Sequence, residues 1–198
     1  QLLYPKDADA GGTWIGVSNH KRLVCLLNGG FQKHKRKLPY RMSRGKVVKT
    51  SLKATNFLEH IDVFDFENIE PFTLLGIDWK DSLHAIELGW DGSEKHVRQI
   101  DKQPSIWSSS TLYDNHQKEL RNTWFTHWLG DSNPISKEEI LKFHQNEHLG
   151  DRGVSVKTNR LFVQTVSTSR IVKQGSELTF DYYDYLNNSI STKQMKLG

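Results

Sequence analysis

His144-Gln145-Asn146-Glu147-His148 reads H-x-x-E-H. Two histidines four apart on one helical face can reach the same zinc ion, and a glutamate beside them can act as base. The pattern is short, and the chain carries nine His. A catalytic zinc also needs a third protein ligand. The only Glu after His148 is Glu177, in a segment that reads as strand. A polar face at the end of a helix accounts for these residues, so no metal or cofactor is expected. Cys25 is the single cysteine and stands between Val24 and Leu26. A nucleophilic thiol needs an accessible, electropositive setting; a Cys inside an apolar run reads as a small core residue. Asn28 precedes Gly29 and Gly30 at the end of that run. The amide can project into a cleft that the glycines let other backbone approach. Asn-Gly is equally ordinary turn chemistry, and on the residues alone both readings stand. Trp107-Ser108-Ser109-Ser110-Thr111 ends in four hydroxyls. They can line a polar pocket, although capping the loop toward a helix at Asn115 is the simpler use.

The elements that must position these residues follow from periodicity and turn chemistry. Thr13 to Ser18 and Leu23 to Asn28 predict a hairpin across Asn19-His20-Lys21. Val47, Val48, Leu52 and Phe57-Leu58 predict one amphipathic helix within Ser43 to His60. Phe72 to Trp79, Leu83 to Trp90 and Lys95 to Ile100 read as a meander, with turns at Asp78–Ser82 and Asp91–Ser93. Ile106 to Ser110 reads as a further short strand. Asn115 to Leu129 predicts a helix that stops at Gly130. Ser136-Lys137-Glu138-Glu139 is a capping box that starts a helix running to His148. Phe162 to Val172 and Glu177 to Tyr185 form a hairpin across Lys173–Ser176. This order predicts an α+β fold with helices packed on sheet faces. One domain is expected over residues 1–186, followed by a polar, fraying tail over 187–198.

Composition narrows the partners. The chain has 198 residues, 36% hydrophobic and 25% charged, which suits one soluble domain with a sizeable core. No apolar run approaches the roughly 20 residues of a membrane span, and no charged-then-apolar leader is visible. One cysteine excludes an internal disulfide and fits a reducing compartment; the expected location is the cytoplasm. Net charge is +4 but uneven: from Ala10 to Leu58 there are eleven Lys or Arg and no Asp or Glu. The run from Lys33 to Lys49 is the densest part. It reads as a solvated loop leading into a charged helix face. No DNA- or RNA-binding signature accompanies it, and nucleic acid is not expected as a partner.

Two stretches resemble known families. Gly175-Ser176-Glu177-Leu178-Thr179-Phe180-Asp181-Tyr182 resembles the closing motif of SET-domain methyltransferases, but the Asn-His-Ser-Cys element of that family is absent from this sequence. Plain strand alternation explains the stretch. The second likeness is more specific. Gly11-Gly12-Thr13-Trp14-Ile15-Gly16, a short turn, an apolar strand ending in Asn28, and Ser43-Arg44-Gly45 opening a helix occur in one order. This resembles the NRDE family of transport-and-Golgi-organisation protein 2 related proteins. The likeness continues more weakly through the meander, Trp107 to Tyr113, and the hairpin from Gln164.

That family in turn resembles the N-terminal-nucleophile (Ntn) hydrolases of the choloylglycine type. The resemblance implies an αββα four-layer sandwich, two stacked, mainly antiparallel sheets flanked by helices. It implies hydrolysis of a small-molecule amide. An N-terminal Cys attacks the carbonyl and its own α-amino group serves as base. An Arg and an Asp organise the site, and an Asn on a later strand donates to the oxyanion. By its place in the motif, Asn28 corresponds to that oxyanion-hole Asn. Ser109 falls where a second site Asn usually stands. This is a departure, because a hydroxyl is shorter and offers one donor where an amide offers two. The initial Cys and the Asn-Arg-Asp-Glu stretch are expected some tens of residues before Gln1, outside this sequence, so the chain as given is expected to be inactive. The alternative implied by the same resemblance is a non-enzymatic haem- or lipid-binding or trafficking module on this fold.

Overall fold

A computed structural model describes residues 1–7, 11–101, 103–131 and 134–197. The chain is α+β, with two antiparallel sheets and four helices, the class that the element order predicts. It divides into two compact units. The first holds Gln1–Pro104 with Ser109–Leu112, and the second holds Ser105–Ser108 with Tyr113–Lys196. Among the described residues no helix is long and apolar enough to cross a membrane.

The first unit is a six-stranded sheet in sequential order: β1 (Leu2–Leu3), β2 (Ile15–Ser18), β3 (Arg22–Asn28), β4 (Phe72–Asp78), β5 (His84–Trp90) and β6 (Lys95–Gln99). The predicted hairpin and meander are present within a residue or two of their expected bounds. On β3, Arg22, Val24 and Leu26 alternate onto one buried face, the period of two that a half-covered strand requires. Val24 and Leu26 meet Phe72 and Leu74 of β4 and Ile86, Leu88 and Trp90 of β5 in one core. Two helices cover that face, α1 (Arg44–Lys53) and α2 (Phe57–Val63), with Val47, Val48, Leu52, Phe57 and Ile61 buried against it.

The single helix expected over 43–60 is therefore two. The chain leaves helical geometry at Ala54 and restarts at Asn56, whose side chain accepts from Glu59 N at 3.2 Å. A strong N-cap overrides apolar spacing that would carry one helix through. Arg22 fastens the joint. It is 1% exposed and donates to Asp78 Oδ2 from Nε and Nη2 at 2.9 and 2.7 Å. Its Nη1 donates to the carbonyls of Ser51 and Ala54 at 2.9 and 2.6 Å. One guanidinium thus ties β3 to β4 and to the end of α1.

The second unit pairs β7 (Ser167–Gln174), β8 (Glu177–Asp184) and β9 (Ser189–Lys196), with α3 (Asn115–Asp131) and α4 (Lys137–His144). The capping box is present: Ser136 Oγ accepts from Glu139 N at 3.1 Å, and Ser136 N donates to Glu139 Oε2 at 2.9 Å. Phe125, Trp128 and Phe143 stack between the helices, with ring centroids 4.9 to 5.7 Å apart. Five expectations change. Helix α4 ends at His144 rather than His148, and β7 begins at Ser167 rather than Phe162. Helix α3 passes through Gly130. Ile106 to Ser110 forms no strand. Residues 189–196, expected within a fraying tail, pair with β8 along its whole length. Gly198 lies outside the described residues. Most of β9 is exposed on both faces, so no apolar alternation announces it. Its main-chain ladder and the bond from Thr192 Oγ1 to Asp181 Oδ1, 2.7 Å, hold it instead.

Candidate functional site

The site is built from the end of β3 outward. Asn28 closes the strand opposite Phe72 and is exposed. The next residue, Gly29, has φ +86°, a left-handed backbone that glycine adopts without strain. Four groups hold this turn. Ser109 Oγ donates to the Asn28 carbonyl at 2.7 Å, and Ser110 Oγ to the Gly30 carbonyl at 2.6 Å. Thr73 Oγ1 donates to the Gly29 carbonyl at 3.0 Å, and Gly29 N donates to the Pro71 carbonyl at 3.0 Å. The main chain of Asn28 is therefore fixed. Among the described residues none hydrogen-bonds its side-chain amide.

That amide lies on a cavity of about 730 Å³. Trp14, Leu38, Tyr40 and Met42 give it an apolar wall, while Arg36, Arg44, Glu70 and Asp7 add charge. The glycine motifs explain how the wall closes. A Cβ on Gly45 would stand 2.8 Å from Thr13 N and 2.9 Å from Gly12 Cα. The first turn of α1 therefore packs backbone to backbone against the loop entering β2. This brings Ser43-Arg44-Gly45 beside Gly12-Thr13-Trp14, which are distant in sequence.

Glu70 organises the charged side. It is 8% exposed, and one imidazole and two guanidinium groups converge on it: His34 Nε2 and Arg36 Nε at 3.3 Å, and Arg44 Nη2 at 3.2 Å. Burial pulls the Arg44 guanidinium below its usual pKa, and the Glu70 charge opposes that pull. Arg44 also donates to the Pro71 carbonyl at 3.2 Å. The basic run from Lys33 to Lys49 is therefore divided. Lys33, Lys35 and Lys37 are solvated, whereas Arg36 and Arg44 line the cavity.

The two sequence-predicted site residues meet, but in different roles. Asn28 reaches the cavity by its side chain. Ser109 is buried and reaches Asn28 through the main chain, and it does not line the cavity. Sequence reasoning missed Glu70. The available signal was the excess of cations before Leu58, which needs a carboxylate from elsewhere in the chain.

The remaining candidates fall away from this site. Cys25 sits in mid-strand, and burial of its thiol pushes the pKa up to about 11. In the second unit α4 ends at His144, so His148 does not share a helical face with it. Glu147 is paired with Lys157 Nζ at 2.6 Å. Among the described residues no cluster of three His, Cys, Asp or Glu can hold a metal ion. The cavity lining contains no Cys or His. What it offers is an amide donor with no partner among the described residues, two guanidinium groups and an apolar wall.

No curated protein matches the chain. A family model described as Transport and Golgi organisation 2 matches residues 1–183, which include β2, β3, the Asn28 turn and the start of α1. On that match the chain belongs to the Transport and Golgi organisation 2 family.

Proposed function

We propose that this domain is the oxyanion-side part of an Ntn-hydrolase-like amidohydrolase acting on small, non-peptide amides. The nucleophile in this reading is an N-terminal Cys that this sequence does not contain. The observation that carries the reading is Asn28: an amide with no hydrogen-bond partner among the described residues, on a fixed main chain, facing a cavity. A donor placed before the reaction stabilises developing negative charge at a reduced reorganisation cost, and the bond to the Asn28 carbonyl fixes the backbone from which this amide projects. Asn28 Nδ2 donates to the carbonyl oxygen as it becomes an oxyanion, and the apolar wall of Trp14, Leu38, Tyr40 and Met42 holds the acyl group. The attack and the proton transfer belong to the Cys and its α-amino group.

The test is a chain extended upstream to include that Cys, assayed on N-acyl amides. Activity should appear in the extended chain and not in the 198-residue chain. Asn28→Ala should lower kcat by about 10²–10³, the usual worth of one oxyanion donor. Asn28-dependent turnover by the 198-residue chain would overturn the placing of the nucleophile. An Asn28→Ala variant as fast as its parent would overturn the role of Asn28.

A carrier function on the same cavity is the second reading. The apolar wall beside Arg36 and Arg44 suits an amphipathic anion such as haem or a lipid. A haem titration without a Soret shift, and no retention of a fluorescent fatty acid, would remove it.

A further inference from the structure

One turn of the second unit carries residues that turns avoid. Arg160 N donates to Val163 O at 2.7 Å, so the chain reverses over Leu161 and Phe162. Gly, Pro, Asn, Asp and Ser dominate such corners. Here the corner residues are 89% and 90% exposed, and Val163 beside them is 40% exposed. Apolar side chains held in water add nothing to folding stability, so this placement calls for a use outside the fold.

The turn is also rigidly mounted. Asn159 and Gln164 form an antiparallel bridge beneath it. Thr165 N donates to the Thr158 carbonyl at 2.8 Å, and Asn159 N to the Arg152 carbonyl at 2.9 Å. Arg160 Nε donates to the Gly153 carbonyl at 2.5 Å. Beside the tip lies a hollow of about 500 Å³, lined by Arg152, Arg160, two amides and the apolar turn, with no carboxylate among the described residues. The nearest acid in sequence, Asp151, spends its Oδ1 on the amides of Gly153 and Val154 at 2.6 and 3.1 Å.

We propose that this turn is a membrane-docking finger. Leu161 and Phe162 enter the boundary between headgroups and acyl chains of an anionic bilayer, and Arg152, exposed beside the hollow, meets a lipid phosphate. Apolar insertion combined with attraction to anionic lipid is the usual physics of interfacial binding. A protein partner fits less well. A specific protein interface buries roughly 1,200–2,000 Å², far more than two side chains supply, whereas a bilayer needs no complementary surface.

The experiment is co-sedimentation of the 198-residue chain with phosphatidylcholine vesicles, with and without phosphatidylserine. Binding should require phosphatidylserine and weaken with salt. L161S/F162S should reduce partitioning by about a hundredfold, the worth of two partly buried apolar side chains, and R152E by about tenfold. The tip is exposed, so circular dichroism and melting of these variants should match the parent. Absence of binding to either vesicle overturns the proposal. So does binding that L161S/F162S leaves unchanged, which would assign it to the run from Lys33 to Lys49. A dimer of the parent that L161S/F162S dissociates, without vesicle binding, would assign the tip to a second copy of the chain and overturn it as well.

Discussion

Ser109 Oγ donates a 2.7 Å hydrogen bond to the main-chain carbonyl of Asn28, across 81 residues of sequence. The hydroxyl at this position braces the strand end that carries Asn28. Ser109→Ala should therefore cost about 1 kcal/mol of stability, the ordinary net worth of such a bond. Urea denaturation measures this. An unchanged midpoint would mean that the turn is held by Thr73 and Ser110 alone.

One close main-chain approach at the site is between α1 and the loop entering β2. A methyl group on Gly45 would stand 2.8 Å from Thr13 N and 2.9 Å from Gly12 Cα. Neither contact involves a side chain that can move aside, so the helix start itself must shift. Gly45→Ala should destabilise by roughly 1–3 kcal/mol, the range for overpacking. It should also displace Arg44 from Glu70. Thermal melts test the first effect. If Gly45→Ala melts with its parent, the close approach is not what fixes α1.

The parts of this fold that were legible in the sequence are those with a local signature. The β2–β3 hairpin, the meander and the Ser136 capping box each follow from alternation or from a side chain bonding its own neighbourhood. Asn56 shows where such reasoning fails: its cap divides one apolar period into two helices. Strand β9 shows a second failure, because an edge strand that is polar on both faces leaves only a backbone ladder to specify it. At the site, Asn28 was legible from a strand end followed by two glycines. Glu70 was not. No spacing marks it, and its meaning arises only when folding brings His34, Arg36 and Arg44 to it. Ser109 was legible as a position but not as an act, since its partner is a carbonyl that every residue carries.

Arg22 supplies the third prediction. Its guanidinium is buried among Asp78 and the carbonyls of Ser51 and Ala54, and it lies 4.9 Å over the Phe57 ring. Arg22→Ala removes the cation and leaves Asp78 and two carbonyls without it. Breaking a buried pair from one side costs roughly 3–5 kcal/mol, so this change should lower the urea midpoint more than Ser109→Ala does. Replacing both partners with apolar residues of similar size, as in R22M/D78L, should recover part of the loss. A double variant no better than Arg22→Ala would assign the cost to the carbonyl bonds rather than to the ion pair.

Cys25 separates two uses of a lone thiol. Part of the residue reaches solvent, yet burial pushes its pKa from 9.0 up to about 11. The thiolate is the reactive form. Near pH 8 roughly one native thiol in a thousand is ionised, against about one in ten in the unfolded chain. A thiol reagent should therefore label the folded protein about a hundredfold more slowly than the same protein in urea. The sign for stability follows. The fold holds the neutral thiol, so its contribution is complete below the ordinary pKa and is lost as pH rises toward 11. Cys25→Ala should abolish labelling in urea and flatten that alkaline loss. Rapid native labelling near neutral pH would instead mark Cys25 as an activated thiol, and the upstream Cys would no longer be needed as the nucleophile.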